Sequence, residues 1–138
     1  FEREGISIFD DTYNANPDSV RAAIGVVADV PALNGSSRTV VLGMMGELGR
    51  FAEEMHLQIG EHAARNQLQV ISVGVEAARI AEGAKRAGGS VVEHFDRYED
   101  AVNWLKGTLR PGDTVLFKGS RKAAVERVMN AVFPPTTN

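Results

Sequence analysis

The sequence predicts an α/β domain: a mostly parallel sheet of five to six strands flanked by about five helices. Three observations predict it. Short apolar runs rich in β-branched residues alternate along the chain with longer segments of helical period. The runs carry apolar residues toward both faces, as strands covered by helices on each side do. The length of 138 residues, 43% of them hydrophobic and 24% charged, suits one core, and no internal repeat or linker divides it.

The elements follow in order. Ile6–Phe9 is the first run, bounded by Gly5 and Asp10. Val20, Ala23, Ile24 and Val27 then recur at helical spacing. Asn16 as N-cap, Pro17 at the first helical position and Asp18 near the positive helix end mark where that helix starts. Thr39–Leu42 is the second strand, and Met55, Ile59 and Ala63 stripe the second helix. Val70–Val73 is the third strand; Ala77, Ile80, Ala81 and Ala84 form a helix stopped by Gly88-Gly89. Val91–Phe95, interrupted by Glu93 and His94, reads as an edge strand, and Tyr98, Ala101, Val102 and Leu105 as the fourth helix. Arg110-Pro111-Gly112-Asp113 is a turn feeding the last strand, Thr114–Phe117. Ala124, Val128, Met129 and Val132 mark a final helix ending before Pro134-Pro135, and the tail Pro134–Asn138 is expected to fray. Strict alternation of this kind implies right-handed crossovers and a Rossmann-like three-layer architecture.

Composition narrows the function. A net charge of −3 does not supply the broad positive field of a nucleic-acid-binding surface. No apolar run approaches the roughly 20 residues that span a bilayer, so membrane insertion is not expected. With no cysteine there is no disulfide framework and no thiolate zinc site, which makes a cytoplasmic setting the expectation. The chain opens on Phe1 rather than Met, which reads as a domain cut from a longer protein.

Ligands of open parallel sheets bind beyond the carboxyl ends of the strands. That rule selects Asp10–Ser19, Gly43–Gly49, Gly74–Glu76 and Lys118–Arg121. The first packs two carboxylates, a tyrosine ring and two amides into one strand-to-helix bend. Carboxylates suit ribose hydroxyls or a metal, and a ring can stack on a base. The same residue types also build ordinary turns and caps. Gly43-Met44-Met45-Gly46-Glu47-Leu48-Gly49 has the spacing G-x-x-G-x-x-G, which is not the dinucleotide fingerprint, and no P-loop occurs anywhere. The glycines either admit a ligand to the backbone or simply connect strand to helix. Lys118-Gly119-Ser120-Arg121-Lys122 is read as opening the last helix, where cations oppose the helix dipole unless an anion arrives. His56 and His62 lie six apart, not at the i, i+4 spacing of a shared metal. His56 is the histidine nearest the glycine-rich loop.

Asp10-Asp11-Thr12-Tyr13-Asn14-Ala15-Asn16-Pro17-Asp18-Ser19 resembles the signature that opens the C-terminal domain of the Mur ligases, above all of the branch that adds D-alanyl-D-alanine. Val41-Leu42-Gly43 with Glu47-Leu48-Gly49, His56 and Gly60 resembles that family's second-strand loop and helix. Leu116-Phe117-Lys118-Gly119-Ser120-Arg121 resembles its last strand and turn. The resemblance implies that residues 1–138 are a single C-terminal domain whose UDP-substrate and P-loop ATPase domains lie elsewhere in a longer chain, and that it packs against its own central domain. It implies an ATP- and Mg²⁺-dependent amide ligase joining D-alanyl-D-alanine to UDP-N-acetylmuramoyl-tripeptide through an acyl phosphate, in peptidoglycan synthesis. The isolated domain, which completes the ATP site and positions the dipeptide, is expected to be inactive alone.

Carried over residue by residue, Asp11 contacts the ATP ribose, Tyr13 and Asn14 flank the base or ribose, and Asn16 with Pro17 fixes that loop on its helix. Lys118, Ser120 and Arg121 lie near the dipeptide carboxylate or the reacting phosphate, with Glu47 on the substrate side. No metal ligand falls in this domain; ATP and Mg²⁺ belong mainly to the central one. One departure is that Met44 stands where the family usually has an acidic residue after the first glycine. The alternatives are the equivalent domain of another Mur-type or folylpolyglutamate ligase, and a free-standing nucleotide-binding module.

Overall fold

The computed structural model describes residues 1–33 and 35–136. In chain order the elements are β1 (Glu2–Arg3), β2 (Ile6–Asp11), α1 (Pro17–Ala28), β3 (Arg38–Leu42), α2 (Ala52–Arg65), β4 (Gln69–Val73), α3 (Ala78–Arg86), β5 (Val92–Phe95), α4 (Tyr98–Thr108), β6 (Thr114–Lys118) and α5 (Glu126–Val132). Single 3₁₀ turns precede α2 and α3. The sheet order is β1-β2-β6-β3-β4-β5, with β1 antiparallel to β2 and every other pair parallel.

The period-2 alternation of the strands sorts the core into two layers. Ile8, Val41, Ile71, Val115 and Phe117 face α4 and α5, joining Leu105, Val128 and Met129. Val40, Leu42, Val70 and Leu116 face the other way, onto Ile24 and Val27 of α1, Ile59 of α2 and Ile80 of α3. β6 is buried at all five positions because it runs between β2 and β3 in the middle of the sheet.

The helix starts are written in local chemistry. Asn16 caps α1 by accepting from the Ser19 amide at 2.9 Å, and Ser19 Oγ accepts in return from the Asn16 amide at 3.1 Å, with Pro17 beginning the helix. Asp113 closes the turn before β6, accepting from the amides of Ser37 and Arg110 at 2.8 Å each. α2 and α3 meet through glycines: a Cβ on Gly60 would sit 1.8 Å from the Ile80 carbonyl oxygen, and one on Gly83 2.0 Å from that of Leu57.

The six strands fall within the five to six expected, β1 being the one with no apolar run of its own. Two readings of the sequence need correction. The last helix starts at Glu126, so Ala124 lies before it, in a left-handed turn at φ 50°. Ala77 belongs to the 3₁₀ turn ahead of α3. The expected fraying falls partly on Thr137 and Asn138, outside the described residues; Pro134 is tied down, its carbonyl accepting from Arg3 at 2.6 Å.

Candidate functional site

Parallel register brings the ends of three strands level. Asp11 is opposite Lys118 across β2 and β6, and Lys118 is opposite Leu42 across β6 and β3. The three segments that leave these strands, 10–16, 43–49 and 118–122, therefore emerge side by side. Two glycines let them approach. A Cβ on Gly43 would lie 2.6 Å from Val125 Cγ2, and one on Gly119 2.5 Å from the same atom. The Gly43 amide donates to the Lys118 carbonyl at 2.9 Å, and the Ser120 amide to the Met44 carbonyl at 3.0 Å.

Lys118 is the charge at the centre. Its side chain is 2% exposed, and Nζ donates to Asp11 Oδ2 at 2.7 Å and to the Asn14 carbonyl at 2.9 Å. An ammonium buried to this degree is tolerated only when paired and hydrogen-bonded. Asp11 itself is 48% exposed and so reaches outward as well as inward. The bend after β2 is further shaped by Asp10 Oδ1, which accepts from the Thr12 amide and hydroxyl, and by Asn14 Oδ1, which accepts from the Ala15 amide.

Two clefts open beside this pair. The first, of about 590 Å³, is walled by Asp10, Asp11, Thr12, Tyr13, Arg121 and Glu126. Tyr13 is 73% exposed, with the Arg121 guanidinium 5.1 Å from its ring centroid. The second, of about 520 Å³, lies between Asn14–Asn16, Met44, Gly46 and Glu47, and Ser120–Lys122. Arg121 stands at the boundary and lines both.

Nearly all the residues singled out from the sequence thus converge here, but several do so in a different capacity. Lys118–Lys122 does not open a helix, since α5 begins at Glu126, so the argument from the helix dipole fails. Lys118 is not a free surface cation: it holds the β2 loop to the sheet. The side-chain oxygen of Asn16 is committed to the α1 cap, and Asn16 borders the second cleft rather than the first. Glu47 adopts a left-handed φ of 60° and borders the second cleft. Gly74–Glu76, also at a strand end, lines neither cleft. Glu126, on the wall of the first cleft, was missed, because nothing in its local sequence separates it from any other helix-start glutamate.

Among the described residues, no group of three or more His, Asp or Glu side chains is placed to hold a metal ion. No described helix is long and apolar enough to cross a membrane. Of the other histidines, His94 bridges Ser72 Oγ and Asp96 Oδ1 at 2.7 Å each, with Ser72 fully buried. His62, on α2, is held below its ordinary pKa by partial burial and then by Arg21 and Arg65.

The chain is similar to known proteins along nearly its whole length. The family model for the Mur ligase, glutamate ligase domain, matches residues 1–121. The UDP-N-acetylmuramoyl-tripeptide--D-alanyl-D-alanine ligase of Mycobacterium tuberculosis is 34% identical over 152 aligned residues, covering 97% of this chain and 30% of that protein. A MurF crystal structure from Acinetobacter baumannii superposes with a TM-score of 0.84 at 31% identity, covering 96% of this chain and 29% of that one. MurF from Thermotoga maritima, solved in complex with ADP, gives 0.79 at 30% identity, with coverage of 96% and 29%. The chain thus spans about 30% of the length of these relatives.

Proposed function

We propose that this chain, which belongs to the Mur ligase glutamate ligase domain family, is the C-terminal domain of an ATP-dependent ligase that joins D-alanyl-D-alanine to UDP-N-acetylmuramoyl-tripeptide. The observation that carries this reading is likeness along nearly the whole chain to ligases of that name, one of them solved with ADP. The rest of such an enzyme, including the phosphate-binding loop that this chain lacks, belongs to domains against which this one packs.

The first cleft suits a nucleoside. Tyr13 offers an open ring face for a base, and Arg121 beside it offers a cation. Asp11 is oriented by Lys118 and presents its exposed carboxylate edge to ribose hydroxyls. Lys118 acts through Asp11 and Asn14 and is a positioning residue in this state. The second cleft suits a zwitterionic dipeptide: Arg121 and Lys122 match its carboxylate, Glu47 its ammonium, and Ser120 adds a hydroxyl.

ATP, when bound, supplies the phosphoryl group that activates the tripeptide carboxylate. This domain's contribution is proximity and exclusion of water from the activated carboxylate, with preorganised charge at Arg121 between the two clefts. Among the described residues no three His, Asp or Glu side chains converge as a metal cage, so the Mg²⁺ of such a ligase is assigned to the other domains and no step is derived through it here. The isolated domain is expected to be catalytically silent.

The test is ATP-dependent phosphate release by the full-length protein. D-alanyl-D-alanine with the UDP-muramoyl-tripeptide is compared with L-glutamate and a nucleotide- or folate-linked acceptor. Release with the first pair alone is expected. Release only with glutamate reassigns the substrate, and release with neither favours a free-standing nucleotide-binding module.

A further inference from the structure

We propose that His56 is a positioning residue for the second cleft, fixing the 43–49 loop and thereby the Ser120 turn, so that it governs how the dipeptide is held and not the nucleotide. This rests on the ligase reading above for the identity of the occupant, though not for the geometry.

His56 lies on α2 and is 3% exposed. Its Nδ1 is 2.6 Å from the Ala52 carbonyl, which can only accept, so Nδ1 carries the proton. Its Nε2 accepts from the Met45 amide at 2.9 Å, which a protonated Nε2 cannot do. Both ring nitrogens are therefore committed, and the pair of contacts selects one neutral tautomer. A histidine satisfied in this way is common in protein cores; what it holds distinguishes this one.

Met45 is the anchor of the loop. Its side chain is 2% exposed and packs in the layer beneath α1–α3, while its backbone is fastened by His56. One residue earlier, the Met44 carbonyl accepts from Ser120. A continuous series thus runs from α2 through His56, Met45 and Met44 to Ser120. Met44, Gly46, Glu47 and Ser120 all line the second cleft, and none of them lines the first. Loosening the Met45 amide therefore displaces one cleft wall and leaves the Tyr13–Asp11 wall in place.

Two variants separate the ring nitrogens. In His56→Gln the amide oxygen reaches about where Nε2 sits and can accept from Met45; in His56→Asn the shorter side chain reaches only the Nδ1 position. In the full-length protein, His56→Asn is expected to raise KM for D-alanyl-D-alanine about tenfold while KM for ATP stays within about twofold, with His56→Gln restoring most of the loss. Equal rises in both KM values, or a Gln variant no better than Asn, overturn the proposal.

Labelling with ¹⁵N supplies a readout independent of turnover. The chain has four methionines and three histidines. The Met45 amide is expected to shift in His56→Asn and return in His56→Gln, and wild-type His56 to show the Nδ1–H tautomer. An Nε2–H tautomer overturns the proposal even where the Asn variant does not fold. If the protein ligates neither acceptor while these spectra behave as expected, the ligase reading fails and the anchoring stands.

Discussion

Lys118 and Asp11 meet at the carboxyl ends of β6 and β2, whereas Arg79, Glu53, Glu82 and Arg86 form a network over the outer surface of α2 and α3. The distances are alike: 2.7 Å for the first pair, 2.8 Å for Arg79–Glu53 and 2.9 Å for Arg86–Glu82. The surroundings are not. The Lys118 side chain is 2% exposed and joins residues 107 positions apart, while the Arg79 side chain is 48% exposed and meets solvent on its open side. Hydrogen bonding to Arg79 holds the Glu82 carboxyl below its usual pKa, and the same contacts raise that of Arg79. Such exposed pairs nonetheless contribute little to stability, because water solvates both charges and holding two long side chains costs entropy. Short contacts alone do not rank ion pairs; burial, and what the pair holds in place, does.

Removing the partner of the buried charge has the largest expected effect. Asp11→Ala leaves the Lys118 ammonium with only the Asn14 carbonyl and should cost about 3 kcal/mol, the low end for a broken buried pair because water can enter at half-exposed Asp11. Urea unfolding measures it, and a loss indistinguishable from zero removes the pair from the stability of the fold. In the full-length protein the same variant should raise KM for ATP.

Lys118→Met separates stability from positioning. A similar volume without the charge fills the site, so stability should change by about 1 kcal/mol or less, while turnover falls much further because Asp11 and the 12–16 loop lose their tether. Parallel loss of both would make Lys118 purely structural. Arg79→Ala is the control: it should leave the unfolding midpoint and ligase kinetics within error.

The smallest effect is one of pH. His62 is held below its ordinary pKa in the folded protein, so as pH falls through about 6.5 the unfolded chain takes up the proton first. Stability should therefore decline from that point downward until folded His62 also titrates. Unfolding of His62→Gln across pH 7.5 to about 5 should show a shallower decline; an unchanged slope assigns the acid sensitivity elsewhere.

Legibility in the sequence follows how local each feature is. Four of the five longer strands are marked by compact apolar runs and β5 by an interrupted one, and the α1 start by Asn16, Pro17 and Ser19, because three or four adjacent residues decide each. Strand β1 has two residues and hence no period to read. The start of α5 is hidden because Ala124 continues the helical spacing although its backbone turns left-handed. Motif residues identified the strand-end loops, yet the partnership of Lys118 with Asp11 depends on parallel register between distant strands. The bond from the Met45 amide to His56 Nε2 depends on how a helix lies beneath a loop. Neither leaves a local signature.

The most direct test of the site is hydrogen–deuterium exchange of the full-length protein with and without ADP and D-alanyl-D-alanine. Protection is expected in residues 10–16 and 118–122, with 79–86 unchanged. No protection in those two loops, or protection concentrated on α2 and α3, would contradict the placement of both ligands at the strand ends.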